Sequence, residues 1–275
     1  MTQSVRKVET QSIAPEEHWP LRVYEKSILK QEKYAEILAC LDDTTGLDCL
    51  DIGSETGAIS YLLRSRGGNW KTTDHEPVVV ERIRQLVGDN VYLMQEPRLP
   101  FEDNSFDTIV VIDILEHVED DDEFVNELYR TLRPSGTLIL NTPRKKFSWL
   151  ARFQERVGLT DENLGRLRSG YTELELESLL NGRFEVSEHR TYRGFFSKLF
   201  ESICLLMLRR FPTDKMGKHA PMISPTMLDQ NKLLVRGYSL MFPLVRMFCA
   251  LDRTLRYPGY MLMVKAHPVP DQSKS

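Results

Sequence analysis

Short apolar runs alternate with amphipathic segments through residues 47–143. The runs are four to six residues long and are bounded by turn residues, which is typical of strands buried on both faces. Five strands are predicted on this basis: Leu47–Ile52, Asn69–Thr73, Val91–Met94, Thr108–Ile112 and Thr137–Leu140. Helical spacing predicts helices between them, at about 57–66, 77–86 and 122–132. This alternation indicates a mainly parallel sheet with helices on both faces.

The N-terminal flank is predicted to contain a helical stretch from about Leu21 to Leu41, with its apolar residues largely on one face. That face either packs into the core or closes over a neighbouring site as a lid, and the pattern leaves both open. Residues 1–15 are predicted to be disordered, and they show no apolar core of a signal peptide.

The C-terminal half is predicted to complete the sheet with two further strands, Phe184–His189 and Gly259–Ala266. A basic and aromatic loop at 144–149 and one or two surface helices at 149–168 come first. Thr172 and Glu175 have the spacing of a capping box, which predicts a helix start there.

The first strand ends in an acid followed by two glycines. Asp51 closes the strand, Gly53 and Gly57 follow, and an apolar helix starts directly afterwards. Glycine accepts a positive φ and lets a ligand approach the backbone closely. The next helix directs its free N–H groups and the positive end of its dipole towards this turn. The pattern predicts a nucleotide-like ligand at residues 51–57.

Polar residues also close the other strands. Asp74 lies 23 residues after Asp51, close to the spacing at which an acid meets ribose hydroxyls in dinucleotide folds. Gln95, Asp113 and Asn141 follow the third, fourth and fifth strands. Right-handed crossovers place these strand ends at one edge of the sheet, so we expect the five residues to converge.

Five segments, in this order and at these spacings, resemble a class I S-adenosylmethionine-dependent methyltransferase. They are LDIGSETG at 50–57, TTDHEP at 72–77, RLPFEDNSFDTIVV at 98–111, DILEHVED at 113–120 and LRPSGTLILNTP at 132–143. The chain is similar to the broad group that includes the quinone-biosynthesis methyltransferases. The resemblance implies a Rossmann-like, seven-stranded, mainly parallel α/β sheet whose last two strands pair as an antiparallel hairpin. It also implies S-adenosylmethionine as the cofactor.

The resemblance assigns the methionine side of the cofactor to the glycine-rich loop. The residues implied there are Asp51, Gly53, Ser54, Glu55 and Gly57. Glu55 departs from the family pattern, which has a glycine at this position. Its carboxylate could favour the positive amino group or sulfonium of the cofactor.

The resemblance assigns the rest of the cofactor to residues at later strand ends. Asp74 would bond the ribose hydroxyls, with His75 beside the adenine. Gln95 and Glu96 would lie next to the adenine amino group, where Gln95 replaces a common aspartate. Asp113 would lie beneath the sulfonium.

His117 is the candidate catalytic residue, because it follows the fourth strand on the expected substrate side. A histidine titrates near neutrality and could take a proton from the methyl acceptor. The alternative is a histidine that packs the loop or orients Glu116. No metal is expected, because no second histidine lies at ligand spacing.

A basic, apolar insertion separates the sixth and seventh strands. Between Arg190 and Arg256 there are twelve Lys and Arg residues against four Asp and Glu, in a chain whose net charge is −4. Its apolar segments at 195–211 and 233–251 are interrupted by charge, whereas a spanning helix needs about 20 uninterrupted residues. The segments fit peripheral membrane contact, a substrate tunnel, a dimer interface or a packed helical subdomain.

The sequence predicts an N-terminal tail and cap at 1–45, a methyltransferase core at 46–192, the insertion at 193–257 and a last strand with a tail at 258–275. The predicted acceptor is a small molecule or a lipid-linked group such as a quinone precursor or lipid-linked sugar. Four dispersed cysteines suit a reducing compartment, and the protein is predicted to be cytoplasmic, with membrane association left open. The alternatives are a non-catalytic cofactor-binding protein, a nucleic-acid methyltransferase and, least favoured, a dinucleotide-dependent oxidoreductase.

Overall fold

The chain forms one seven-stranded sheet in the order β3-β2-β1-β4-β5-β7-β6. The computed structural model describes residues 19–145, 156, 166–208, 243, 245–252, 254 and 259–270. The first five strands are parallel, and β7 runs antiparallel to both β5 and β6. The predicted fold class and the antiparallel end of the sheet are confirmed. The expected surface helices of 149–168 lie almost wholly outside the described residues.

The strands follow the predicted apolar runs with shifted ends. They are β1 Asp48–Ile52, β2 Asn69–Asp74, β3 Val91–Leu93, β4 Phe106–Ile112, β5 Leu132–Pro143, β6 Phe184–Tyr192 and β7 Met261–Pro268. The fifth strand starts five residues earlier than predicted, because Leu132 pairs with Phe106 ahead of a register shift between Phe106 and Thr108. Pro134, Ser135 and Gly136 therefore lie within this strand.

The helices lie between these strands and at the N-terminus. They are α1 Trp19–Glu25, α2 Ile28–Cys40, α3 Ala58–Arg64, α4 Pro77–Val87, α5 Asp121–Thr131, α6 Glu173–Leu180 and α7 Phe195–Leu208. The predicted helical stretch at 21–41 consists of two helices, because the helical conformation is interrupted at Lys26 and Ser27. Ser27 then caps α2 by accepting a hydrogen bond from the backbone N–H of Lys30 at 3.4 Å. The capping box of Thr172 and Glu175 is confirmed.

Alternation along the central strands divides the core into two layers. Ile109 and Val111 of β4 pack with α5 and α6, whereas Val110 and Ile112 pack with α2 and α3 on the other face. Period-two alternation in a strand buried on both faces produces this division. Ile37 and Cys40 place the C-terminal half of α2 in the second layer, so the core-packing interpretation of its apolar face is confirmed there.

The described ends of the insertion pack together and against α2. Asp252 caps α7 by accepting hydrogen bonds from the backbone N–H groups of Phe196 at 3.1 Å and Ser197 at 2.8 Å. Phe200 and Cys249 then form a small buried cluster that includes Ile28 of α2. Among the described residues, no helix is long and apolar enough to cross a membrane.

Candidate cofactor site

The glycine-rich loop between β1 and α3 lies at the carboxyl edge of the sheet. Gly53 and Gly57 have φ values of +82° and +81°, which side-chain-bearing residues adopt at a cost. A Cβ on Gly53 would lie 2.3 Å from the backbone oxygen of Ile112, so β1 and β4 approach too closely there for any other residue. Glu55 also has a positive φ, of +54°, and its side chain is 48% exposed. The conformation of the loop thus depends on both glycines.

The carboxylate of Asp51 holds this loop to its surroundings. Asp51 is fully buried, and it accepts hydrogen bonds from Ser54 Oγ at 2.5 Å, Thr72 Oγ1 at 2.8 Å and Ser60 Oγ. The guanidinium of Arg64 lies 3.3 Å from Asp51 Oδ1. The donors come from the loop, α3 and β2. Asp51 therefore holds the glycine-rich loop in place through contacts with four side chains of the protein.

Asp74 and His75 lie at the end of β2. Asp74 is 5% exposed, and this burial raises the pKa of its carboxyl to about 7. Hydrogen bonds from the backbone of Glu76 and His75 act in the opposite direction but are the smaller effect. His75 Nδ1 lies 3.0 Å from Glu96 Oε1, which connects the ends of β2 and β3. Gln95 is exposed beside Glu96 at the same edge. These four residues form a second polar group next to the loop.

Asp113 lies at the end of β4 within a chain of polar contacts. Lys33 Nζ of α2 donates to Asp113 Oδ2, and Asn141 Nδ2 of β5 donates to Asp113 Oδ1. Asn141 Oδ1 accepts in turn from the hydroxyl of Tyr192 at 2.6 Å. Burial opposes the charge on Asp113, but Lys33, Arg193 and further cations outweigh it and lower the pKa of the carboxyl.

A second lysine of α2 reaches the glycine-rich loop. Lys30 Nζ lies 2.7 Å from Glu55 Oε2, and this ammonium is the main cause of the lowered pKa of Glu55. Lys30 and Lys33 are three residues apart and therefore lie on one face of α2. The N-terminal half of α2 thus contacts the loop and the turn after β4, while its C-terminal half packs in the core; closure of this helix over a site as a lid stays a prediction.

Glu116 and His117 follow Asp113 in a tight turn. Glu116 is fully buried, and burial and the negative charge of Asp113 raise its pKa to about 7. Its Oε2 accepts from Thr142 Oγ1 at 3.3 Å, while its Oε1 has no hydrogen-bond partner among the described residues. The imidazole of His117 is 14% exposed, with Nε2 4.0 Å from that oxygen. The turn therefore combines a buried acid with a partly accessible imidazole.

The described residues fit a nucleoside ligand that carries an amino-acid moiety. Gly53 lets the glycine-rich loop pack closely against the turn after β4, and the acids Asp74, Glu96 and Asp113 follow strands that end at the same edge of the sheet. Residues 50–140 match the family model described as a methyltransferase domain. Residues 50–140 are therefore similar to the class I S-adenosylmethionine-dependent methyltransferases. The cofactor of this family is S-adenosylmethionine.

Curated relatives match the methyltransferase domain over part of their length. An S-adenosylmethionine-dependent methyltransferase of Mycolicibacterium smegmatis is 40% identical over 101 residues, which are 36% of this chain and 39% of the relative. The ubiquinone biosynthesis O-methyltransferase of Rickettsia conorii is 26% identical over 112 residues, 39% of each chain. The enzyme of that name from Pseudomonas aeruginosa is 29% identical over 111 residues, 37% of this chain and 48% of the relative. The matched region thus spans less than half the length of these relatives.

Solved structures share the fold of the methyltransferase domain over most of the chain. A chain in the complex between the Haloferax volcanii Trm112 methyltransferase activator and a methyltransferase superposes with a TM-score of 0.55 and 15% identity, covering 93% of this chain and 98% of that one. The [4+2]-cyclase SpnF superposes with a TM-score of 0.54 and 19% identity, covering 88% and 82%. These identities establish the fold alone.

Sequence reasoning missed several residues that shape the candidate site. Lys30 and Lys33 have the spacing of one helix face, but only the apolar face of this segment was interpreted. The burial of Glu116 was not predicted, since it depends on the tertiary fold. Tyr192 was not predicted as a site residue, because its contact with Asn141 joins residues 51 positions apart.

Proposed function

We propose that this protein transfers a methyl group from S-adenosylmethionine to a small-molecule or lipid-linked acceptor. The observation that carries the proposal is the Gly53–Gly57 loop, which the fully buried Asp51 holds in place and which packs against the turn after β4 as closely as only a glycine at position 53 allows. Bound S-adenosylmethionine supplies an electrophilic methyl group on a positively charged sulfur. The protein's task is then to hold the acceptor in line with that group and to exclude water.

The named side chains have distinct roles in this proposal. The loop would bind the methionine portion through its backbone, with Ser54 and Glu55 at its centre. Asp74 would accept hydrogen bonds from the ribose hydroxyls, and His75, Gln95 and Glu96 would lie beside the adenine. Asp113 would place a negative charge next to the sulfonium. Helix α2 contacts this edge through Lys30 and Lys33 and would limit the access of water to it.

His117 is proposed to accept the proton that the acceptor loses. Its imidazole is 14% exposed beside the fully buried Glu116, so one ring edge can face an acceptor while the other is oriented by the protein. We expect His117→Ala to lower kcat by roughly 10²–10⁴-fold with little change in cofactor affinity, as is usual for a general base. An unchanged kcat would assign His117 to packing of the turn.

The acceptor class is proposed from the relatives and from the insertion. Two of the relatives are named as ubiquinone biosynthesis O-methyltransferases, which supports a small-molecule acceptor. The insertion is rich in apolar residues, which supports a lipid-linked one. The test supplies methyl-labelled S-adenosylmethionine with an organic extract of cells, an aqueous metabolite extract or nucleic acid. Label in the organic or aqueous small-molecule fraction supports the proposal. Label that enters only nucleic acid would favour the nucleic-acid methyltransferase.

Peripheral membrane contact through residues 195–256 and a cytoplasmic location form a further part of the proposal. The support is compositional: twelve basic residues and two apolar segments lie in or next to this region. Sedimentation of the full chain with vesicles of anionic or neutral lipid tests the contact. Pelleting with anionic vesicles that 0.5 M salt reverses supports it, and no pelleting with either composition removes it.

A non-catalytic cofactor-binding protein is the second candidate. Glu55 replaces a glycine in the loop and is paired with Lys30 at 2.7 Å, so the loop is partly engaged by the protein itself. Binding of S-adenosylmethionine without label transfer to any of the three fractions would favour this candidate.

A further inference from the structure

Two cations of α2 engage two carboxylates at the candidate cofactor site. Lys30 contacts Glu55 at the centre of the loop, and Lys33 contacts Asp113 at the end of β4. The two acids are close enough for the charge on Asp113 to raise the pKa of Glu55 and for Lys33 to lower it. The four charges therefore form one electrostatic group over the loop.

Lys33 is well placed to compete with a positively charged ligand. Its side chain is 11% exposed, against 28% for Asp113, so the pair is partly removed from water and only partly screened. Both oxygens of Asp113 already have donors, Lys33 on one and Asn141 on the other. A cation that approaches Asp113 must share its carboxylate with the ammonium of Lys33.

Asp113 lies in the turn that packs against Gly53 of the glycine-rich loop. A Cβ on Gly53 would lie 2.3 Å from Ile112 O and 3.2 Å from Ile114 Cβ, the residues on either side of Asp113. The loop backbone that receives the methionine portion is therefore in direct contact with the turn that carries Asp113. The sulfur of the cofactor belongs to that methionine portion.

Charge distinguishes the methyl donor from the product of transfer. S-adenosylmethionine carries a sulfonium, whereas S-adenosylhomocysteine carries a neutral thioether in the same place, and the other charged groups are identical. We propose that Lys33 determines how the site discriminates between these two ligands, by opposing the sulfonium at Asp113 and leaving the thioether unopposed. The inference rests on the proposed function, because it requires the site to bind this cofactor.

The charge of Lys33 also bears on the transfer step. The sulfur loses its positive charge as the methyl group moves to the acceptor. The repulsion between a nearby ammonium and the sulfur is therefore weaker in the transition state than in the donor complex. An interaction that weakens the ground state more than the transition state favours reaction. Lys33 is thus a residue that tunes selectivity and does not itself exchange atoms with the ligand.

The test measures dissociation constants of both ligands for the parent chain and for Lys33→Met by titration calorimetry. Two unit charges a few ångströms apart in a partly screened site interact strongly enough that removal of one should change the ratio Kd(S-adenosylhomocysteine)/Kd(S-adenosylmethionine) roughly tenfold. We expect that ratio to rise in Lys33→Met and to stay at the parent value in Lys33→Arg, which keeps the charge. Lys26→Met is the matched control, since Lys26 is an exposed cation one residue before the Ser27 cap.

The possible results separate the inference from its premise. A parent chain that binds neither ligand contradicts the proposed function. A parent that binds both, with a ratio unchanged within twofold in Lys33→Met, overturns the inference alone. Equal loss of affinity for both ligands also overturns it, because Lys33 would then bind the carboxylate that the two ligands share. Thermal unfolding of each variant confirms that the comparison is made on folded protein.

Discussion

Lys33 of α2 donates a hydrogen bond to Asp113, a residue 80 positions later in the chain at the end of β4. The contact joins the N-terminal helix to the centre of the sheet edge where the loop, Asp74 and His117 lie. It shows that α2 belongs to the candidate site as well as to the core. The predictions below concern the groups that this edge brings together.

Gly53→Ala is expected to lower the free energy of unfolding by roughly 2–4 kcal/mol and to abolish cofactor binding, because its Cβ would collide with Ile112 O at 2.3 Å. Gly182→Ala is the matched control: Gly182 has nearly the same φ, +81°, but nothing lies within 4 Å of an added Cβ. We expect a loss of about 1–2 kcal/mol there and unchanged binding. Chemical denaturation and calorimetry measure both effects, and equal losses in the two variants would contradict the steric argument.

Asp51→Asn is expected to lower the free energy of unfolding by roughly 2–4 kcal/mol, because an amide cannot accept all the hydrogen bonds that the buried carboxylate accepts. The loop should then lose its order and its affinity for the cofactor. Asp43→Asn serves as the control, because Asp43 is an exposed acid that accepts hydrogen bonds from the backbone N–H and the hydroxyl of the nearby Thr45. Denaturant titrations of both variants would refute this account if Asp51→Asn were as stable as the control.

Cofactor affinity is expected to rise with pH between about 5.5 and 7, because burial raises the pKa of Asp74 to about 7 and the ionised form is the better acceptor for ribose hydroxyls. Below that pKa the ionised fraction falls tenfold per unit, so affinity should fall by up to about tenfold per unit. The negative charges of Glu76 and Glu96 also raise the pKa of Asp74, and His75 Nδ1 lies 3.8 Å from Asp74 Oδ1.

Asp74→Asn isolates the contribution of this residue. The variant should bind more weakly at pH 7.5 and lose most of the pH dependence, and the ratio of parent to variant affinities cancels any titration of the ligand itself. Calorimetry at half-unit intervals would contradict the assignment if parent and variant gave parallel profiles.

Glu116 is expected to make the folded state less stable as pH rises. Its pKa is about 7 in the folded protein against an ordinary value of 4.5, so the folded state holds the proton more tightly than the unfolded chain. The stabilisation is fully present below pH 4.5 and is lost as pH rises through 7, by roughly 2–3 kcal/mol. Asp74 contributes in the same direction.

Glu116→Gln should flatten this profile in part, since a neutral amide has no proton to lose. Its stability should match or exceed that of the parent at pH 8 while gaining nothing at pH 4.5. Denaturant unfolding across pH 4.5–8 would disprove the assignment if the difference between the two proteins stayed constant.

The positions of the strands along the chain could be predicted because each strand has its own local pattern. β4 is a nearly continuous apolar run, and this alone indicates burial on both faces. The ends were less predictable: Leu132 joins the sheet through a pairing with Phe106 that no local pattern shows. The break at Lys26 and Ser27 was missed for a similar reason, since the apolar stripe continues across it.

The site could be predicted where its residues follow one another in sequence. Asp51 and its glycines form a local motif, and Thr72 faces Asp51 only because β1 and β2 pair in register. Lys33 and Tyr192 reach the site through tertiary contacts, which sequence spacing does not encode. Long-range polar contacts were therefore the part that required the structure.

Titration of the purified full chain with S-adenosylmethionine tests the central claim most directly. The account predicts saturable binding with one ligand per chain, displaced by S-adenosylhomocysteine and lost in Gly53→Ala but retained in Gly182→Ala. No heat of binding and no thermal shift at millimolar ligand, from a chain that unfolds cooperatively, would contradict it.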